Sequence, residues 1–239
     1  MAKRLIASLD TDFSNVVSFL QTRGVVPDPT PRDMIECAKR IHRCTYSLIL
    51  WRFRLRGIPD HGRVFVEEIA SDALQILPQT LMGYGKTAKL LTRGIIENVM
   101  RHLYFSDHPV EFARMNRESK WFMTMESLFE YPKIHTIFME SERRFDAINR
   151  LSSLYSELSA GVHGRRVRDL ETRTALRKIN YDGSIARLQA DLAERCAEAA
   201  NFVLAMFHSE QLSEFQIEDR RIILGTMSIR ARQIWHNSQ

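Results

Sequence analysis

KLLTRGIIENVMRHLYF (residues 89–105) decides the fold class. Ile95, Ile96, Val99, Met100 and Leu103 recur at three- and four-residue steps, the spacing of one buried helical face. Arg93, Glu97 and Arg101 recur at four-residue steps, so they form a polar stripe along one side of that helix. Met100 and Tyr104 fall beside Arg93 on a helical wheel, which places the stripe at the border of the apolar arc. As plain surface chemistry the stripe amounts to two ion pairs worth roughly a few tenths of a kcal/mol each. Beside a neighbouring helix, Glu97 and Asn98 also offer polar groups to a partner.

The same periodicity runs through the chain, and alternating strand patterns are absent. Residues 24–31 (GVVPDPTP) read as an extended linker, because proline fixes φ and disfavours helix before it. Asp33 to Arg56 then reads as a long helix ended by Gly57-Ile58-Pro59-Asp60. A helix from Val64 to Leu81 is expected to kink or end at Pro78. The quoted helix runs from Lys86 to Phe105 and stops at Asp107-His108-Pro109. Shorter helices are expected between Val110 and Glu140, with a break at Tyr131-Pro132. Ser141 reads as the cap of a helix to Ala160, and Val167 to Lys178 as a further one. Asp182-Gly183-Ser184 caps the longest clean pattern, Ile185 to His208, and a last helix spans Glu218 to Ile234. The class is all-α, a multi-helix bundle: an N-terminal segment and linker (1–31) precede a single helical domain (32–239).

Composition narrows the function classes. Hydrophobic residues make up 44% and charged residues 26%, an ordinary globular balance. The longest apolar runs, YSLILW (46–51) and FVLAMF (202–207), are far shorter than the roughly 18 residues of a membrane span. The start, MAKRLIASLDTDF, meets Asp10 too early for a signal peptide, so a cytoplasmic protein without a membrane partner is expected. The net charge of +5 gathers in two clusters. Lys39, Arg40, Arg43, Arg52, Arg54, Arg56 and Arg63 form the first; Arg165, Arg166, Arg168, Arg173, Arg177 and Lys178 form the second. Such clusters either meet phosphate backbones or form solvated helix faces.

Familiar catalytic motifs are missing. GYGKT (83–87) has Thr80 where a phosphate loop needs its first glycine, and a helix precedes it, so it reads as a connection between helices. HExxH, GxSxG and CxxC do not occur, the histidines lack metal-ligand spacing, and no cofactor is implied. Cys37 and Cys44 lie about 10.5 Å apart along one helix, beyond disulfide reach.

LYSELSAGVHG (154–164) carries the remaining chemistry. Leu151, Leu154 and Leu158 form a core stripe, while Ser152, Ser156, Ser159 and His163 share another side where a second helix can approach closely. His163 suits proton transfer near neutral pH, or simply hydrogen-bonds a carbonyl at its own helix end.

The pair RGIIENVMRHLYFSDHP and YSELSAGVHG resembles the HEPN superfamily in its divergent abortive-infection and phage-defence form, over residues 86–208. The resemblance implies a helical bundle that often dimerises and commonly cleaves RNA. The family's Arg-x(4–6)-His spacing is absent before His163; it occurs elsewhere, as at Arg56–His61 and Arg101–His108, as chance alone would produce. A composite site is therefore expected: Arg93 and Glu97 from one helix, Tyr155 and His163 from another. Arg101, Arg165, Arg166 and Arg168 would bind RNA. His163 would serve as general base or acid, with no metal required. The other readings are a non-catalytic subunit binding a partner protein or nucleic acid and, further off, a ligand-binding sensor bundle.

Overall fold

The computed structural model describes residues 8–163, 175 and 179–238. Twelve helices and no strands occur among them. They are α1 (Leu9–Thr22), α2 (Arg32–Arg54), α3 (Asp60–Leu81), α4 (Gly85–Asp107), α5 (Pro109–Arg117), α6 (Met125–Ile134), α7 (Thr136–Phe145), α8 (Ala147–His163), α9 (Gly183–Phe207), α10 (Ser209–Ser213), α11 (Ile217–Gly225) and α12 (Ile229–His236). None is long and apolar enough to cross a membrane. The all-α bundle expected from the sequence is the fold.

α3 and α4 form a tight antiparallel hairpin, with α2 against α3. The Ala-rich helix α9 packs on α2, α4 and α8. Ala190, Ala197, Ala200 and Ala205 are fully buried, and their small side chains let three long helices approach one axis. A closed polar network pins this centre. Trp51 Nε1 donates to Asn201 Oδ1 (2.8 Å), and Asn201 Nδ2 donates to Ser47 Oγ (2.7 Å) and Thr226 Oγ1 (2.8 Å). It joins α2, α9 and the end of α11 without leaving the buried amide unpaired.

Several boundaries differ from the sequence reading. Pro78 lies inside α3 without ending it, because only one more turn follows and the chain leaves at Met82. Pro132 likewise sits inside α6, and the break falls at His135. Ser141 caps nothing: it is buried within α7, its hydroxyl donating to the Phe138 carbonyl (3.2 Å). The turn into α8 comes at Asp146, in the left-handed region (φ 61°), whose carboxylate accepts from Asn149. The single C-terminal helix expected from Glu218 to Ile234 is two, broken at 226–228, where Ser228 caps α12 through the Ala231 amide. The helix expected at 167–178 lies outside the described residues. GYGKT is indeed part of the connection between α3 and α4: Gly83 and Tyr84 make the turn and Gly85 opens α4. Gly83 adopts φ +84°, and a Cβ there would fall 2.1 Å from the Asn180 carbonyl oxygen.

Candidate functional site

The polar stripe of α4 meets α8. Arg93 Nη2 pairs with Glu97 Oε1 at 2.9 Å, and Arg101 Nη2 lies 3.4 Å from Glu97 Oε2. One carboxylate is thus held between two guanidinium groups, one on each oxygen. Arg93 Nη2 also donates to the Tyr155 hydroxyl (3.2 Å), and its guanidinium carbon sits 5.1 Å from that ring's centroid. Its Nε is buried without a hydrogen-bond partner among the described residues. Phe129 of α6 backs Tyr155 edge-on at 5.9 Å. Arg101 Nη1 donates to Asn98 Oδ1 at 3.3 Å. The Glu97 side chain is 17% exposed and that of Arg101 36%, so the cluster opens to solvent at its Arg101 end.

Asp72 of α3 belongs to the same neighbourhood and was not legible in the sequence. Its carboxylate packs against Gly94, where a Cβ would fall 2.4 Å from Oδ2. Partial burial pushes its pKa up to about 7, with the charges of Glu68 and Glu97 adding to the effect. The signal available was Gly94 itself, a glycine mid-helix where alanine would favour the helix by about 1 kcal/mol, which marks a close approach.

His163 does not join this cluster within one chain. The order of contacts fixes the helix directions. Arg150 meets Glu198 and Glu157 meets Arg195, so α8 runs antiparallel to α9. Gln189 Nε2 donates to the Gly85 carbonyl (3.1 Å) and His208 meets His102, so α4 runs parallel to α9. α4 and α8 are therefore antiparallel and cross at Arg93–Tyr155. From there α8 climbs about 12 Å to His163, toward Gly85, while Glu97 lies about 6 Å the other way. That separation of about 18 Å exceeds what the two side chains span. The expected convergence of Glu97 and His163 is corrected on this ground for the single chain. The imidazole of His163 lies outside the described residues, as do Arg165, Arg166 and Arg168.

The Arg56–His61 and Arg101–His108 spacings carry no site. His108 stacks on Tyr104 (centroids 4.1 Å) and its Nδ1 is 2.7 Å from the Tyr104 carbonyl. His61 Nε2 lies 3.3 Å from the Ser106 carbonyl. The first basic cluster is mostly committed inside the fold. Arg40 binds Glu194 through two nitrogens (2.8 and 2.7 Å) and also reaches Asp191. Arg43 donates to the Gly225 carbonyl, and Arg54 Nε sits 2.7 Å from Asp219 Oδ2, a charge contact off hydrogen-bond alignment. Three cysteines are free and buried, and burial pushes the Cys44 and Cys196 thiols up to about 12, which makes them poor nucleophiles.

A second cluster escaped the sequence reading. His102 and His208 face each other in the core, Nε2 to Nε2 at 2.7 Å, and His102 Nδ1 is 2.9 Å from the Gly62 carbonyl. With Nδ1–H of His102 donating to that carbonyl, its Nε2 accepts from His208. Burial lowers both, to about 4 for His102 and about 3 for His208, where the charge of the neighbouring imidazole adds to burial. Both are neutral structural groups. No family model, no curated protein and no solved structure matches the chain.

Proposed function

We propose that the chain is an RNA-directed, metal-independent ribonuclease of HEPN-like type that works through the α4–α8 cluster. The observation that carries the reading is the carboxylate of Glu97 clamped by Arg93 and Arg101, with the Tyr155 hydroxyl beside Arg93. That set supplies the parts RNA transesterification needs. Glu97 takes the proton from the 2′-hydroxyl, and the 2′-oxygen attacks the adjacent phosphorus. Arg93 and Arg101 neutralise the charge that builds on the phosphorane oxygens. Tyr155 accepts a hydrogen bond from Arg93, so its own proton is directed outward to the departing 5′-oxygen. The products are a 2′,3′-cyclic phosphate and a free 5′-hydroxyl. Tyr155 thereby takes the acid's place that the sequence reading gave to His163. A role for His163 in the same step would require a second copy to present it.

The second reading, a non-catalytic helical subunit that binds a partner, draws on a different observation. The Lys39–Arg63 cluster is largely paired internally, and large apolar side chains stand exposed on α5 to α7: Val110, Phe122, Ile134 and Met139. The two readings part in one experiment. Purified protein is incubated with total RNA in EDTA beside Glu97→Gln, Tyr155→Phe and His163→Ala. The ribonuclease reading expects cleavage by wild type and His163→Ala and a loss of about 100-fold or more in Glu97→Gln. Cleavage retained in Glu97→Gln rejects the site, and no cleavage or RNA binding by wild type favours the partner-binding subunit.

A further inference from the structure

We infer that the cavity between α2, α9 and the α11–α12 link is a binding site for a small organic phosphate monoester of mononucleotide size. The cavity measures about 740 Å³, within the span of about 300–1,000 Å³ that small-molecule sites occupy. Its charged lining comes from two helices. α2 supplies Lys39, Arg40 and Arg43, and α9 supplies the carboxylates of Asp191, Glu194 and Glu198. Cys44 and Met227, both buried, also line it and add apolar surface.

The charges are unevenly matched, and the mismatch selects the ligand. All three carboxylates are committed. Arg40 takes Glu194 through two nitrogens and also reaches Asp191. Glu198 accepts from the Ser228 amide (3.2 Å) and lies 3.6 Å from Arg150 Nη1. Lys39 and Arg43 are exposed, and among the described residues neither has a carboxylate partner. Lys39 Nζ sits 5.7 Å from the Phe13 ring centroid, and Arg43 Nη2 donates to the Gly225 carbonyl. That bond fixes the guanidinium against the α11–α12 link, where a Cβ on Gly225 would fall only 3.1 Å from Nη2. The two cations stand four residues apart on one helix, a spacing at which like charges repel. An anion between them relieves the repulsion and takes charge-assisted hydrogen bonds from both. A phosphate monoester brings close to two negative charges near neutral pH, one for each cation. A polynucleotide fits less well, because its successive backbone charges would meet the three carboxylates of α9. The inference stands apart from the RNA reading, since it uses none of Arg93, Glu97, Arg101 or Tyr155.

The test is titration calorimetry of the full chain with adenosine monophosphate and with adenosine, and circular dichroism melts to show that each variant folds. Wild type is expected to bind the monophosphate with a Kd of about 1 mM or tighter, and adenosine at least about 10-fold more weakly. Lys39→Gln and Arg43→Gln should each weaken monophosphate binding by about 10-fold or more. Arg52→Gln, an exposed arginine of the same helix outside the cavity, should leave it unchanged. A single-stranded DNA oligonucleotide, rich in phosphodiesters, should not displace the monophosphate. No binding by wild type overturns the inference, as does adenosine binding as tightly as its phosphate. Binding indifferent to Lys39→Gln and Arg43→Gln also overturns it. Displacement by the oligonucleotide would assign the cavity to nucleic acid instead. If Arg43→Gln fails to fold, Lys39→Gln decides alone.

Discussion

Glu97 is the residue on which the candidate site turns, and Asp72 is the neighbouring carboxyl that burial, helped by the charges of Glu68 and Glu97, raises. A carboxyl raised to about 7 in the folded chain binds a proton there that the unfolded chain has released above about 4. Asp72 therefore costs stability increasingly as pH rises from about 4 toward 7. Asp72→Asn, which keeps the shape without the charge, is expected to stabilise the fold by about 2 kcal/mol at pH 7.5 and by less at pH 4.5. Urea unfolding at the two pH values measures this; a gain equal at both, or none, would show that Asp72 is solvated and ordinary. The histidine pair works in the opposite sense. His102 and His208 are held neutral, with folded values of about 4 and about 3, below the unfolded value near 6.5. The unfolded chain binds protons first, so stability is full above about 6.5 and falls as pH drops toward 4. Two such groups outweigh one Asp72, so the whole protein should lose stability between pH 7 and pH 4.5. His208→Gln should flatten that fall.

Among the elements, the α3–α4 hairpin carries the most information. The periodicity of residues 89–105 gave the helix, its buried arc and its polar stripe, and Ile95, Ile96, Val99, Met100 and Leu103 are all fully buried. Leu151, Leu154 and Leu158 are buried on α8 as their spacing implied. Local pattern was less able to place the ends of helices. Pro78 and Pro132 look like breaks, yet each is tolerated within the last turns of its helix, where few backbone bonds remain to be lost. Ser141 resembles a cap by type alone, while the actual turn uses Asp146 at positive φ. Gly83 is the connection's critical residue, since both its φ of +84° and the Asn180 backbone exclude a side chain. Gly83→Ala should cost more than about 2 kcal/mol and shift the thermal midpoint accordingly. An unchanged midpoint would mean that this turn is not held against residue 180.

At the scale of the whole molecule, the cluster Arg93–Glu97–Arg101–Tyr155 is a product of topology. Spacing on one helix put the three α4 residues together, and the packing of α8 on α4 brings Tyr155 beside Arg93. Helix direction is not written in local periodicity, so the separation of His163 from Glu97 within one chain could not be read from the sequence. Whether α8 runs with or against α4 is fixed by how both pack on α9, and the antiparallel answer sends His163 away from Glu97. The Asp72–Gly94 contact and the His102–His208 pair were hidden for the same reason, as each joins residues of different helices. Asn201 shows the stability side of that packing: Asn201→Ala strands Trp51 Nε1 in the core and should cost about 2–3 kcal/mol by chemical unfolding. The most direct test of the central claim is the end chemistry of RNA treated in EDTA with wild type and with Glu97→Gln, read by mass spectrometry. Wild type is expected to leave 2′,3′-cyclic phosphate ends, which nearly disappear with Glu97→Gln. Equal amounts of those ends from both proteins, or cleavage that leaves 3′-hydroxyl ends, would contradict it.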